Sequence, residues 1–138
     1  MELHKSKYQE VLYLAPQSTV SKSWTPLSED MSEEEFLSEI KTLAEKIEEV
    51  KPFAILDNTT DFAFPITPEL QTWVGTEVFP RFIAAGVRRY ALIVSSEFIA
   101  QLSIEQTMEE AGDNFQTAYF DSEDKAAAWI QAAAAERG

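Results

Sequence analysis

The chain contains no cysteine. Disulfides and thiolate metal sites are therefore excluded, and a reducing compartment is the natural setting. Histidine is almost as scarce, with His4 the single example. Without cysteine or an internal histidine, Ser-His-Asp and Cys-His nucleophile systems lack their usual parts. His4 itself is expected in a frayed and inert N-terminus. Only four glycines occur, at 75, 86, 112 and 138, and neither GxGxxG nor GxxxxGK[ST] is present. Nucleotide binding of the Rossmann or P-loop kind has no support. No run approaches the ~18 apolar residues of a membrane span. The opening MELHKSKYQE has no apolar leader core, so a cytoplasmic protein without membrane insertion is expected.

Positive charge is also in short supply. Lys and Arg number 11 against 24 Asp and Glu, a formal net charge of −13. Such a chain is repelled by phosphate backbones, which disfavours nucleic acid as a partner. The plain reading of this acidity is solubility. What remains is ordinary globular material: 138 residues, 45% hydrophobic and 25% charged. That is enough for one domain, residues 1–138, with a single core.

The hydrophobic pattern alternates between two periods. Residues 7–14 and 19–24 carry period-2 runs separated by Pro16, as in a hairpin. Ser32-Glu33-Glu34-Glu35 is a capping box, with Met31 and Phe36 placed as a hydrophobic staple. Ile40, Leu43, Ala44, Ile47 and Val50 then recur at helical spacing until Pro52. Phe53-Ala54-Ile55-Leu56 and Arg89 to Val94 are unbroken apolar runs, the mark of parallel strands covered on both faces. Thr67-Pro68-Glu69 starts a second helix that reaches Gly86 as its C-cap. Pro80 predicts a kink or break in that helix near residues 76–79. Ser95 or Ser96 caps a third helical segment through Phe98, Ile99, Leu102, Ile104 and Met108, which ends at residues 111–114 and is one helix or two short ones, since Ser103-Ile104-Glu105-Gln106 is itself a capping-box pattern. Residues 115–120 form the last strand, and Asp121 or Ser122 caps a final helix packed through Ala126, Trp129, Ile130 and Ala133.

The order is β-β-α-β-α-β-α-β-α, an α/β fold with a mixed, mostly parallel sheet. In such sheets a site lies beyond the carboxyl ends of the strands. The segment Asp57 to Leu70, DNTTDFAFPITPEL, lies there. So do Ser95 and Ser96, and Asp121 with Ser122. Asp57, Asn58, Thr60, Phe62, Phe64, Thr67, Trp73 and Ser95 are the candidate ligand- or partner-binding residues. Asp57 is expected to hold amides of its own loop. Phe62, Phe64 and Ile66 alternate and are expected to tuck one side inward, although rings turned outward would mark a partner surface. Thr67 is first a helix cap. Asp57 with Asp61 could hold a hard cation, but two acids in a loop of an acidic protein are a weak signal. No cofactor, metal or catalytic residue is assigned. Arg81, Arg88 and Arg89 form a basic island expected to be ion-paired.

The runs ILDNTTDFAFPITPELQTW, FPRFIAAGVRRYALIVSS, QLSIEQTMEE and YFDSEDKAAAW, together with the element order, resemble the SpoIIAA-like or STAS-type fold. The likeness is to a group of small bacterial STAS-like proteins. It extends from about Tyr8 to the last helix. It implies a non-enzymatic regulatory or protein-interaction module, acting through the loop and helix after the central strand. In the anti-sigma-factor antagonists of this fold, a serine within Asp-Ser-Ser-Gly near that helix start is phosphorylated. That stretch is absent here. Thr67 is the nearest hydroxyl by position, with Thr59 and Thr60 in the loop. A phosphate on Thr67 would add nearly two negative charges. A protein partner is expected. A homodimer through an edge strand, or through Phe62, Phe64 and Trp73, is compatible with the pattern. The alternative is a small-molecule or lipid-type binder, with an apolar pocket beside Phe62, Phe64 and Trp73 and polar anchors at Asp57 and Ser95.

Overall fold

A computed structural model describes residues 1–95, 108–111 and 115–137, with backbone alone for 16, 108–111 and 137. Its strands are β1 (Glu2–Lys5), β2 (Gln9–Leu14), β3 (Thr19–Trp24), β4 (Ala54–Asn58), β5 (Arg89–Ile93), β6 (Met108–Ala111) and β7 (Phe115–Phe120). Its helices are α1 (Glu33–Val50), α2 (Pro68–Trp73), α3 (Phe79–Ala85) and α4 (Glu123–Arg137). The strands make one seven-stranded sheet in the order β1-β2-β3-β4-β5-β7-β6. The pairs β3-β4, β4-β5 and β5-β7 are parallel, and the other three are antiparallel. The fold is therefore α/β with a parallel centre and antiparallel flanks.

The two apolar runs are the middle of this sheet. Ile55 pairs with Val20 on one side and Tyr90 on the other. Each strand turns alternate residues to opposite faces. Val20, Ile55, Tyr90 and Phe115 join Phe36, Leu43, Ile47 and Phe82 in the larger core, under α1 and α3. Ala54, Leu56, Ala91 and Ile93 meet Ala126, Ile130 and Ala133 of α4 on the other face. Full burial of a side chain such as Phe36 or Ile55 stabilises the fold by about 1.5–3 kcal/mol.

Helix α1 begins as its sequence predicts. The Ser32 hydroxyl accepts from the Glu35 amide at 3.1 Å, and the Glu35 carboxylate accepts from the Ser32 amide at 2.8 Å. Met31 and Phe36 are both buried in the same core. Lys51 closes the helix in a left-handed conformation at φ 49°, its amide bonded to the Ile47 carbonyl, and Pro52 follows.

The predicted disturbance at Pro80 takes a specific form. Residues Val74–Val78 make a π-helical turn between α2 and α3. The Phe79 amide bonds to the Val74 carbonyl, five residues back. Pro80 has no N–H to give the carbonyl four residues before it, so an unbroken α-helical ladder is not available there. Gly86 ends α3 at φ 104°.

Two expectations change, and a third lies outside the described residues. His4 is not in a frayed end: it lies in β1, which pairs with β2, and its ring Nε2 is 3.2 Å from Glu39 of α1. Glu2–Lys5 is too short and polar to announce a strand, but pairing with β2 makes it one. Met108 does not belong to a helix. With Glu109, Glu110 and Ala111 it forms β6, antiparallel to β7. The helix placed after Ser95, with Ser96, Phe98, Ile99, Leu102 and Ile104, lies outside the described residues.

Candidate functional site

Strand β3 carries Val20, Lys22 and Trp24 on the face that meets α1. Lys22 is thus aimed into the core by a period of two, between two apolar residues. The parallel register places it opposite Asp57. Its Nζ donates to Asp57 Oδ1 at 3.1 Å, with side-chain exposures of 1% and 7%. Tyr90 stands one pleat behind on β5, opposite Ile55, and its hydroxyl donates to Asp57 Oδ2 at 2.6 Å. Each oxygen of the Asp57 carboxylate thus has a buried donor. Asp57 does not hold its own loop, contrary to the expected Asx turn.

The electrostatics follow from burial. Desolvation pulls the pKa of the Lys22 ammonium down, and the Asp57 charge works against that pull. Desolvation, then the Asp57 charge, push the Tyr90 phenol well above its ordinary value. The ammonium also lies 4.1 Å from the centroid of the Trp24 ring, a cation–π contact inside the core.

Trp24 links this triad to the loop. Its ring is 4.8 Å from Phe62 and stacks on Phe36 at 6.3 Å, while Phe64 stacks on Phe36 at 4.9 Å and 8°. Phe62, Phe64 and Ile66 are half-buried, whereas Asp61, Ala63, Pro65 and Thr67 between them are exposed. The loop is therefore an extended strap whose alternate rings close the core. Buried Ser28 ties it down, its hydroxyl accepting from the Ala63 amide at 2.9 Å. Thr59 donates through its hydroxyl to the Ile93 carbonyl at 2.8 Å. The Asx turn falls one residue later than expected: Asn58 Oδ1 accepts from the Thr60 amide at 3.1 Å and from its hydroxyl at 2.7 Å.

The remaining candidates are spread along the rim. Thr67 is an exposed cap, its hydroxyl accepting from the Leu70 amide at 3.2 Å. Ser95 is exposed just past β5. Trp73, at the end of α2, is half-buried and lines a groove of about 710 Å³ between α1 and the α2–α3 helix. Leu37 and Val78 share its floor, and Glu34, Glu45 and Glu77 are exposed along it. Phe62 and Phe64 do not line this groove.

A second polar cluster joins β1 to α1. The Ser6 hydroxyl donates to Glu39 Oε1 at 2.7 Å and accepts from the amides of Tyr8 and Gln9. Both His4 and Ser6 reach Glu39. A nucleophile relay needs the histidine between serine and acid. Here the acid stands between them, which makes a latch. Among the described residues, no group of three His, Asp or Glu side chains is placed to hold a metal ion. Asp57 has Lys22 as its positive partner, and Asp61 is exposed in the strap. Of the basic island, Arg81 pairs with Glu48 in two bonds of 2.6 and 2.9 Å. Arg88 instead binds the carbonyls of Ile83 and Val87 at the end of α3.

Sequence reasoning missed Lys22, Tyr90 and Ser28. The signal for Lys22 was available: it alternates with Val20 and Trp24, so an inward strand face contains a lysine, which needs a buried acid. No helix among the described residues is long and apolar enough to cross a membrane. No protein-family model matches the chain, and no curated protein or solved structure matches it.

Proposed function

We propose that this chain is a non-enzymatic interaction module of the SpoIIAA-like, STAS type, a cytoplasmic protein working through the strap after β4 and the helix that follows it. The observation that carries the reading is the state of Asp57. The acid at the tail of the central strand is withdrawn into an internal pair with Lys22. The rim above it offers hydroxyls and a held backbone. That arrangement suits docking better than proton transfer, which needs a group within reach of a substrate. The consecutive order β2-β3-β4-β5, with α1 and α3 on one face of it, agrees with a regular β-α winding. Phe62 and Phe64 are packed on Trp24 and Phe36, which fills the space that an enclosed apolar pocket beside them would need.

The test is photo-crosslinking in cells that make the protein. A photoreactive residue at exposed Thr60 or Thr67 should yield protein adducts that the same residue at exposed Gln131 on α4 does not. Equal yields from both faces, or none from the rim, would refute the reading. Mass spectrometry of the same material checks Thr67 for phosphate.

A further inference from the structure

Helix α1 carries seven glutamates, at 33, 34, 35, 39, 45, 48 and 49, against Lys41 and Lys46. Its outer flank makes one wall of the Trp73 groove. The other wall is the α2–α3 helix at its π-helical turn, where Glu77 and Val78 stand. Such turns are frequent at functional positions because they displace side chains from regular helical places. The cations lining the groove are Lys41 and Arg81, and Arg81 is already neutralised by Glu48. Glu45 also lies in the field of Arg81, so Glu34, Glu45, Glu77 and the adjoining Glu48 stand against Lys41 and Arg81, a net negative surround over a floor of Leu37, Trp73 and Val78. The surroundings add to this field, since the whole chain carries −13.

We propose that the groove between α1 and the α2–α3 helix receives a cationic amphipathic helix of a partner protein. Apolar side chains of that helix would meet Trp73, Leu37 and Val78, and its Lys or Arg residues would meet Glu34, Glu45 and Glu77. Charge complementarity selects this occupant. A like-charged second copy of the chain, or an acidic segment, would meet repulsion along the same walls. Two helices flanking an apolar floor provide the geometry of helix-in-groove recognition. An indole at the centre of such a floor is the usual kind of anchor, and its face also attracts a cation. This inference rests on the interaction-module reading and names the partner's chemistry.

The experiment uses the full chain and a fluorescent, helix-forming peptide of leucine and lysine, followed by anisotropy at rising salt. Saturable, salt-sensitive binding is expected. Trp73→Ala should weaken it by about tenfold or more, the scale of one central anchor. The triple variant Glu34→Gln/Glu45→Gln/Glu77→Gln alters exposed positions only, so it keeps the fold if Trp73→Ala does not. It should remove most of the salt dependence. Absence of binding, or binding that ignores both variants, overturns the proposal. So does sedimentation showing that the chain self-associates through Trp73. If adducts still form at Thr60 or Thr67 in that event, the groove falls while the module reading stands.

Discussion

Lys22 and Asp57 are 35 residues apart in sequence, yet they are neighbours across the β3–β4 register and share a 3.1 Å contact. A buried pair is costly to break from one side, because the survivor keeps its charge without a partner. Asp57→Asn and Lys22→Met should each lower stability by about 3–5 kcal/mol. Replacing the triad as Lys22→Met/Asp57→Leu/Tyr90→Phe should recover much of that loss, since no buried charge is left. Chemical denaturation of the four proteins checks this. Losses that simply add would show that the three groups do not act as one unit.

The same triad fixes a pH dependence. The Tyr90 phenol keeps its proton in the folded state well above its ordinary pKa. The unfolded chain loses that proton near pH 10. The folded state then binds more protons, so stability falls as pH rises past about 10. Lys22 has the opposite sign. Its folded pKa is lowered, so its contribution rises with pH as the unfolded lysine approaches its own pKa near 10.4. Tyr90→Phe isolates the two. It should flatten the alkaline loss, and urea midpoints between pH 8 and 11 should show it. An unchanged slope would mean that neither burial nor Asp57 raises the phenol in the folded state.

The central strands were legible because a strand covered on both faces must be apolar throughout, as Ile55 and its neighbours are. The start of α1 was legible because Ser32 and Glu35 are local partners. Strands β1 and β6 were not, since their pairing energy belongs to β2 and β7 and leaves little trace in ELHK or MEEA. The site divides in the same way. The inward alternation of Phe62 and Phe64 could be read along the strap. The partners of Asp57 could not, because Lys22 and Tyr90 arrive from two other strands. The groove at Trp73 depends on the packing of α1 against the π-helical turn, which no local pattern specifies.

Two glycines in the α2–α3 region should respond in opposite directions. Gly75 lies in the π-helical turn with open space where a Cβ would stand. Gly75→Ala should stabilise the protein by roughly 0.5–1 kcal/mol through the higher helical propensity of alanine. Gly86 has equal space but sits at φ +104°. Gly86→Ala should cost about 1 kcal/mol, because a Cβ strains that backbone region. Thermal melts of the pair give the signs. Matching signs would contradict the backbone account.

The strap itself is held by its rings, so its order should be lost before the core is. Phe64 stacks on Phe36, and Phe62 packs on Trp24. Both rings are half-buried. Phe64→Ala should therefore cost about 2 kcal/mol, below the 3–5 typical of a fully buried phenylalanine. The informative measurement is hydrogen exchange. The Ala63 amide is bonded to the Ser28 hydroxyl and the Phe62 amide to the Thr59 carbonyl, both within the strap. In Phe64→Ala these two amides should exchange faster, while those of the central strand around Ile55 shift only with global stability. Phe64→Leu keeps an apolar filler and should restore most of the protection. If Phe62 and Ala63 remain protected in the alanine variant, the Ser28 and Thr59 bonds hold the strap without the rings. The aromatic residues would then be free to serve the partner surface directly.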